Sequence, residues 1–348
     1  MTFKYNNVYI NNTETIAGKK EKEGPLGKIF DKTKDDYYFG EKTWEQAEIK
    51  LINENIKELL KKADLNIKNI DLLISGDLLN QIAVSNYAAS KIDLPFLGIY
   101  SACASSIEGI IIASNMIEAN QASNVIVEVS SHNNTAEKQF RYPVEYGGPK
   151  PKTMTFTATG SAGALLSNKK KGIKVESATI GRVKDSYTKE VFYMGAVMAI
   201  AAAETIKEHL AETNRELGYY DLILTGDLGK YGKDILKDYL KMEYKIIPNN
   251  LDDSACMIYD VNNQSVYSGA SGPVCLPLVT YSYIFNKMFK GEYKKVLLVA
   301  TGALMNTTTV NQKMTIPSIA HAVSLEVIDW WFIYILFYLL DLYAWLRK

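Results

Sequence analysis

IDLLISGDLLNQ (residues 70–81) and YDLILTGDLGKY (residues 220–231) are two versions of one phrase: an aspartate, a short apolar run, a hydroxyl residue, then Gly-Asp-Leu. A continuous apolar run of this length, closed by turn residues, reads as a strand buried on both faces. Two more pairs follow in the same order. YSACASS from Tyr100 is echoed by YSGASG from Tyr267, and VIVEVSSHN from Val125 by VLLVATGALMN from Val296. Chance explains one such pair; three in order mark a duplication. Helical segments alternate with the strands. TWEQAEIKLINENIKELLKKADL opens with Thr43 and Gln46 as a capping box, and Leu51, Ile52, Ile56, Leu59 and Leu60 share one face. A helix is predicted over Asn80 to Lys91, and SIEGIIIASNMIEANQ reads as a helix suited to burial between layers. FYMGAVMAIAAAETIKEHLAET opens the second copy with a long, Ala-rich helix. The fold class is α/β, with sheets covered on both faces and two halves, residues 1–170 and 171–326.

The remaining residues, 327–348, break the pattern. VIDWWFIYILFYLLDLYAWL is about long enough to span a bilayer, with Arg347 and Lys348 as a basic stop. Asp329 and Asp341 interrupt it near its ends, where a carboxylate costs least. This tail reads either as a membrane anchor or as a reading-frame junction. The whole chain carries 39 basic and 39 acidic residues, without a basic stripe, which argues against nucleic acid as a partner. Cys103, Cys256 and Cys275 lie far apart, without the spacing of a zinc site or a disulfide framework, so a reducing compartment is expected.

A cysteine at a strand-to-helix turn in the first copy alone, in IYSACASSIEGI, resembles the nucleophile turn of the thiolase-like superfamily. That resemblance implies a layered αβαβα fold, usually dimeric. FRYPVEYGGPKPKTMTFTATGSAGALL, FYMGAVMAIAAAETI and SIAHAVSLE resemble one branch more closely, the stage V sporulation protein AD family, across nearly all of residues 1–326. The branch implies a non-catalytic protein that binds dipicolinic acid, with calcium carried alongside the ligand and no resident cofactor. It implies a role in dipicolinate uptake into the forespore and release on germination. Its place would be at the inner spore membrane, on the core side, with other stage V membrane proteins.

Cys103 needs a base to act as a nucleophile. Where the resemblance places the first catalytic histidine, this chain has Asp227; where it places the asparagine, Ser268 and Gly269 stand. Catalysis is therefore not expected, although an acyltransferase using Cys103 and a scaffold for spore membrane channel proteins stay as alternatives. For binding, the backbone amides after Cys103 would favour an anion, with Ser105 and Ser106 adding hydroxyl donors. Lys150 and Lys152 offer a counter-charge. Asp77 divides evenly between capping the next helix and reaching the ligand through calcium; for Asp227 the cap is favoured, with the pocket still open to it. His321 is a further pocket candidate or a core histidine, His132 is read as a loop residue and His209 as a surface one.

Overall fold

The computed structural model describes residues 1–141 and 144–328. The first half supplies strands β1 (Tyr9–Ala17), β2 (Leu72–Gly76), β3 (Phe96–Gly98), β4 (Asn124–Ser131) and β5 (Gly160–Ser167). The second supplies β6 (Ile173–Ile180), β7 (Leu222–Thr225), β8 (Leu251–Asp253), β9 (Lys295–Ala303) and β10 (Pro317–Val327). Their order is β3-β2-β4-β5-β1-β6-β10-β9-β7-β8. Read from either edge the sequence of roles is the same, so the duplication read from the repeats is visible as a palindrome. In each half the two outer pairings are parallel and the next is antiparallel. The halves meet where Tyr9 and Ile10 of β1 pair with Lys174 and Ile173 of β6.

The helices are α1 (Trp44–Ala63), α2 (Ala83–Ala89), α3 (Ser105–Glu118), α4 (Asn133–Phe140), α5 (Met194–Thr213) and α6 (Gly229–Tyr244). Further on come α7 (Cys275–Val279) and α8 (Phe285–Phe289), joined through a π-helical turn, and a short helix over Thr307–Asn311. Alternation along the strands sets the layers. Leu72, Ile74, Leu222 and Leu224 enter the central core with α3 and α7, whereas Leu73 faces the α1 side and Ile223 the α5 side. Helix α3 touches strands of both halves, which makes it the middle of five layers. Thr43 caps α1 as expected, accepting from the Gln46 amide at 3.2 Å.

The helix expected over Asn80 to Lys91 is cut short. A single turn over Asn80–Ile82 precedes α2, and Gln81 and Ile82 sit in the left-handed region at φ 61° and 48°. Residues 329–348, which hold most of the apolar tail, lie outside the described residues. Among the described residues no helix is long and apolar enough to cross a membrane.

Candidate functional site around Cys103

Strand β3 ends at Gly98, and the chain turns through Ile99–Ala104 into α3. Ala102 takes φ 50° to make the turn. Much of the local polar capacity is spent on holding it. The Ser105 hydroxyl donates to the Ala102 carbonyl at 2.8 Å and accepts from the Ser101 amide at 3.0 Å. The amides of Ala104 and Ser105 fold back on the carbonyls of Ser101 and Ala102. The expected anion cradle at this helix start is thus largely consumed by the turn, and Ser105 is a brace within it. Ser106 is buried, its hydroxyl has no partner among the described residues, and it does not line the cavity. From the other half, Gly302 presses on the turn: a Cβ there would meet the Ser101 carbonyl at 2.3 Å.

Cys103 comes to rest against Asp227. One Asp227 oxygen accepts from the Thr301 hydroxyl at 2.5 Å and the other from the Gly272 amide at 3.3 Å; the Cys103 thiol is also hydrogen-bonded to this carboxyl. Gly272, at φ 102°, is the last residue of YSGASG, so the second copy's turn faces the first copy's cysteine. Burial, together with Asp253 nearby, pushes Asp227 up to about 7 despite these hydrogen bonds. Burial first, then the Asp227 charge and hydrogen bond, pushes the Cys103 thiol well above its ordinary value. The cap favoured for Asp227 belongs to Asp253 instead, at the end of the neighbouring β8. It accepts from the amides of Leu228 at 3.1 Å and Gly229 at 2.9 Å, where α6 begins.

Asp77 does cap. Its oxygens take the amides of Leu79 and Ser85, each at 2.8 Å, and the second of these lies in the first turn of α2. Leu78 lines the cavity while Asp77 does not. His321 sits on β10 opposite Ala300, away from the cavity lining, where Nδ1 accepts from the Gly181 amide at 3.2 Å and burial pulls it down to about 4. Lys152 is exposed and outside the lining; Lys150 reaches Glu137 at 3.4 Å. Two other histidines depart from expectation. His132 is buried among Tyr37, Phe39 and Trp44 and caps α4, and His209 is buried between Thr179 and the Tyr220 hydroxyl.

A cavity of about 30 Å³ opens beside Cys103, walled by Tyr100, Phe140, Met194 and Met305. Tyr100 and Met305 separate it from a groove of about 380 Å³ along Gly98–Tyr100 and Leu304–Asn306. A larger groove, about 970 Å³, follows the outer face of α1, and none of its lining residues belongs to this turn. The wall also contains Arg141, which the sequence reading passed over. Its side chain is 3% exposed, and Nη1 donates to Glu137 at 2.5 Å. Its one sequence signal is the i, i+4 spacing from Glu137 at the end of an amphipathic helix.

The stage V sporulation protein AD family profile matches residues 1–326. The chain belongs to that family. A stage V sporulation protein AD from Bacillus subtilis (strain 168) is 45% identical over 319 residues, covering 92% of this chain and 94% of that one. This family member also shares its fold with solved structures at low identity. The 3-oxoacyl-[acyl-carrier-protein] synthase III of Aquifex aeolicus VF5 superposes with a TM-score of 0.55 at 15% identity, over 92% of this chain and 100% of that one. A variant of Xanthomonas campestris OleA gives 0.59 at 12% identity, over 93% and 100%. The thiolase-like fold of the stage V sporulation protein AD chain is thereby established, with the five-layer order described above.

Proposed function

We propose that this chain is a non-catalytic binding protein for dipicolinic acid, acting in its uptake into the forespore and its release during germination. Membership of the stage V sporulation protein AD family supports the sporulation role. The observation that carries the non-catalytic reading is the partner of Cys103. A condensing or acyl-transfer site needs a thiolate, which an adjacent imidazolium stabilises. Asp227 does the opposite, because a second negative charge beside sulfur disfavours ionisation and keeps a thiol facing a carboxyl. A Cys103 held as the thiol adds no negative charge of its own to the cavity wall that an anionic guest would meet.

The cavity accommodates about one water molecule in this conformation. A pyridine dicarboxylate needs its walls to part, and the flexible thioethers of Met194 and Met305 make that movement inexpensive. Calcium would enter with the ligand, as its counter-ion. The proposal extends to a homodimer at the inner spore membrane, on the core side, working with other stage V membrane proteins. The test is calorimetric titration of the full chain with dipicolinate, with and without calcium, beside Cys103→Ala. Saturable heat that weakens at least several-fold in the variant supports the reading. Absence of heat under every condition overturns it in favour of a scaffold for membrane channel subunits, and turnover of an acyl-coenzyme A would overturn it in favour of an acyltransferase.

A further inference from the structure

We infer that Arg141 is the carboxylate-recognising group of the Cys103 cavity, holding an aryl carboxylate on the edge of its guanidinium that faces away from Glu137. The inference rests on the reading that this cavity takes a carboxylate ligand, and it names the residue that would select one. A guanidinium carries five N–H donors in a fixed fork and no acceptor. At Arg141 one end of the fork is committed, Nη1 to Glu137 at 2.5 Å. The other end is not. Nε is buried with no hydrogen-bond partner among the described residues, and the nearest partner of Nη2 is the Met194 thioether at 3.9 Å. A side chain 3% exposed that leaves charged donors without an oxygen is an exception to the rule that buried polar groups are satisfied. A carboxylate laid across Nε and Nη2 would satisfy both donors in the bidentate geometry that favours arginine over lysine.

The surroundings fit the same guest. Glu137 faces two cations, Arg141 and Lys150, so the trio keeps one net positive charge at the cavity wall. The other candidate anion donors are elsewhere engaged or elsewhere placed: the first amides of α3 close the turn, and Lys152 is exposed. Tyr100 and Phe140 line the cavity with aromatic rings, which suits a planar body behind the carboxylate. Phe192 lies 5.9 Å from the guanidinium carbon and Met194 starts α5, so the free edge is presented at the seam between the two halves.

Alkylation of Cys103 reads this directly, because its sulfur lines the same cavity. The full chain is labelled with iodoacetate or with neutral iodoacetamide, each transferring its carboxymethyl or carbamoylmethyl group to sulfur with loss of iodide. Peptide mass spectrometry gives the rate ratio at Cys103, with Cys256 in the same molecule as the reference outside the cavity. In the parent the iodoacetate-to-iodoacetamide ratio at Cys103 is expected to exceed that at Cys256. It should fall about tenfold in the charge-neutral double variant Glu137→Gln/Arg141→Gln, and partway in Arg141→Lys, which keeps the pair with Glu137. Equal ratios in parent and variants overturn the inference. Dipicolinate added as a protectant separates it from the functional reading. Selectivity for iodoacetate without protection by dipicolinate would leave Arg141 standing and remove dipicolinate as the ligand. Protection of equal strength in the parent and the double variant would keep dipicolinate and remove Arg141.

Discussion

Cys103 faces Asp227 at the cavity, and a carboxyl in that place works against a thiolate instead of stabilising one. The carboxyl is buried, receives hydrogen bonds from Thr301 and Gly272, and raises the cost of a second negative charge on sulfur. Asp227→Asn keeps an acceptor for Thr301 and removes the charge. Its Cys103 should be alkylated by neutral iodoacetamide about tenfold faster at pH 8, since one unit of thiol pKa is tenfold in thiolate. An unchanged rate would mean that burial alone holds the thiol. Asp77, the repeat partner of Asp227, should behave as a structural cap: Asp77→Ala is expected to lower unfolding free energy by about 1–2 kcal/mol in urea denaturation. Dipicolinate affinity measured well below the denaturation midpoint should not change, and a large loss of affinity there would bring Asp77 back to the ligand.

Helices α5 and α6 cover the outer face of the second half, and their contact depends on glycine. A Cβ at Gly195 would meet the Leu228 carbonyl at 2.1 Å, and one at Gly232 would meet Gly195 Cα at 2.7 Å. Both obstacles are backbone, which cannot swing aside as a side chain could. Gly232→Ala should therefore destabilise the protein by about 1–3 kcal/mol despite the better helix propensity of alanine, read as a lower melting temperature; a neutral or stabilising result would show that the helices separate freely. The same elements explain what the sequence reveals and what it hides. Strands β2, β4, β7 and β9 are legible because both of their faces are buried, so their runs are mostly apolar, with Glu128 in β4 the charged exception within them. Strand β8 is three residues, LDD, with no periodicity to read, yet its parallel register sets Asp253 beside Thr225 and hands it the cap of α6. That leaves Asp227 free for Cys103. His209 looks like a surface residue of α5 by its neighbours in sequence, but Thr179 on β6 and Tyr220 before β7 meet it in the core.

At the scale of the molecule, the five layers bury carboxyls that a smaller fold would leave in water. Glu128 lies in the middle of β4 with no exposed surface, held by the hydroxyls of Ser75 and Ser161 at 2.7 Å each, and burial pushes it up to about 8 from 4.5. Glu48 on α1, held by Ser130 and Thr135, is raised for the same cause and by Asp77. A carboxyl whose folded pKa is raised keeps its proton in the folded chain after the unfolded chain has lost it, so stability falls as pH rises between the two values. His132, His209 and His321 act in the other direction. Burial lowers each to about 4 from 6.5, so their contribution rises with pH and is complete above about pH 6.5. The interval from pH 6.5 to 8 therefore isolates the carboxyls. There each one that is still protonated costs about 1.4 kcal/mol of stability per pH unit. Melting temperature should be lower at pH 8 than at pH 6.5. Glu128→Gln, a neutral group of the same shape whose neighbouring serine hydroxyls can turn to accept its amide, should flatten that slope and melt above the parent at pH 8. A parent that melts at the same or a higher temperature at pH 8 would mean that these buried glutamates are already ionised at pH 6.5 and are balanced by charge from elsewhere in the sheet.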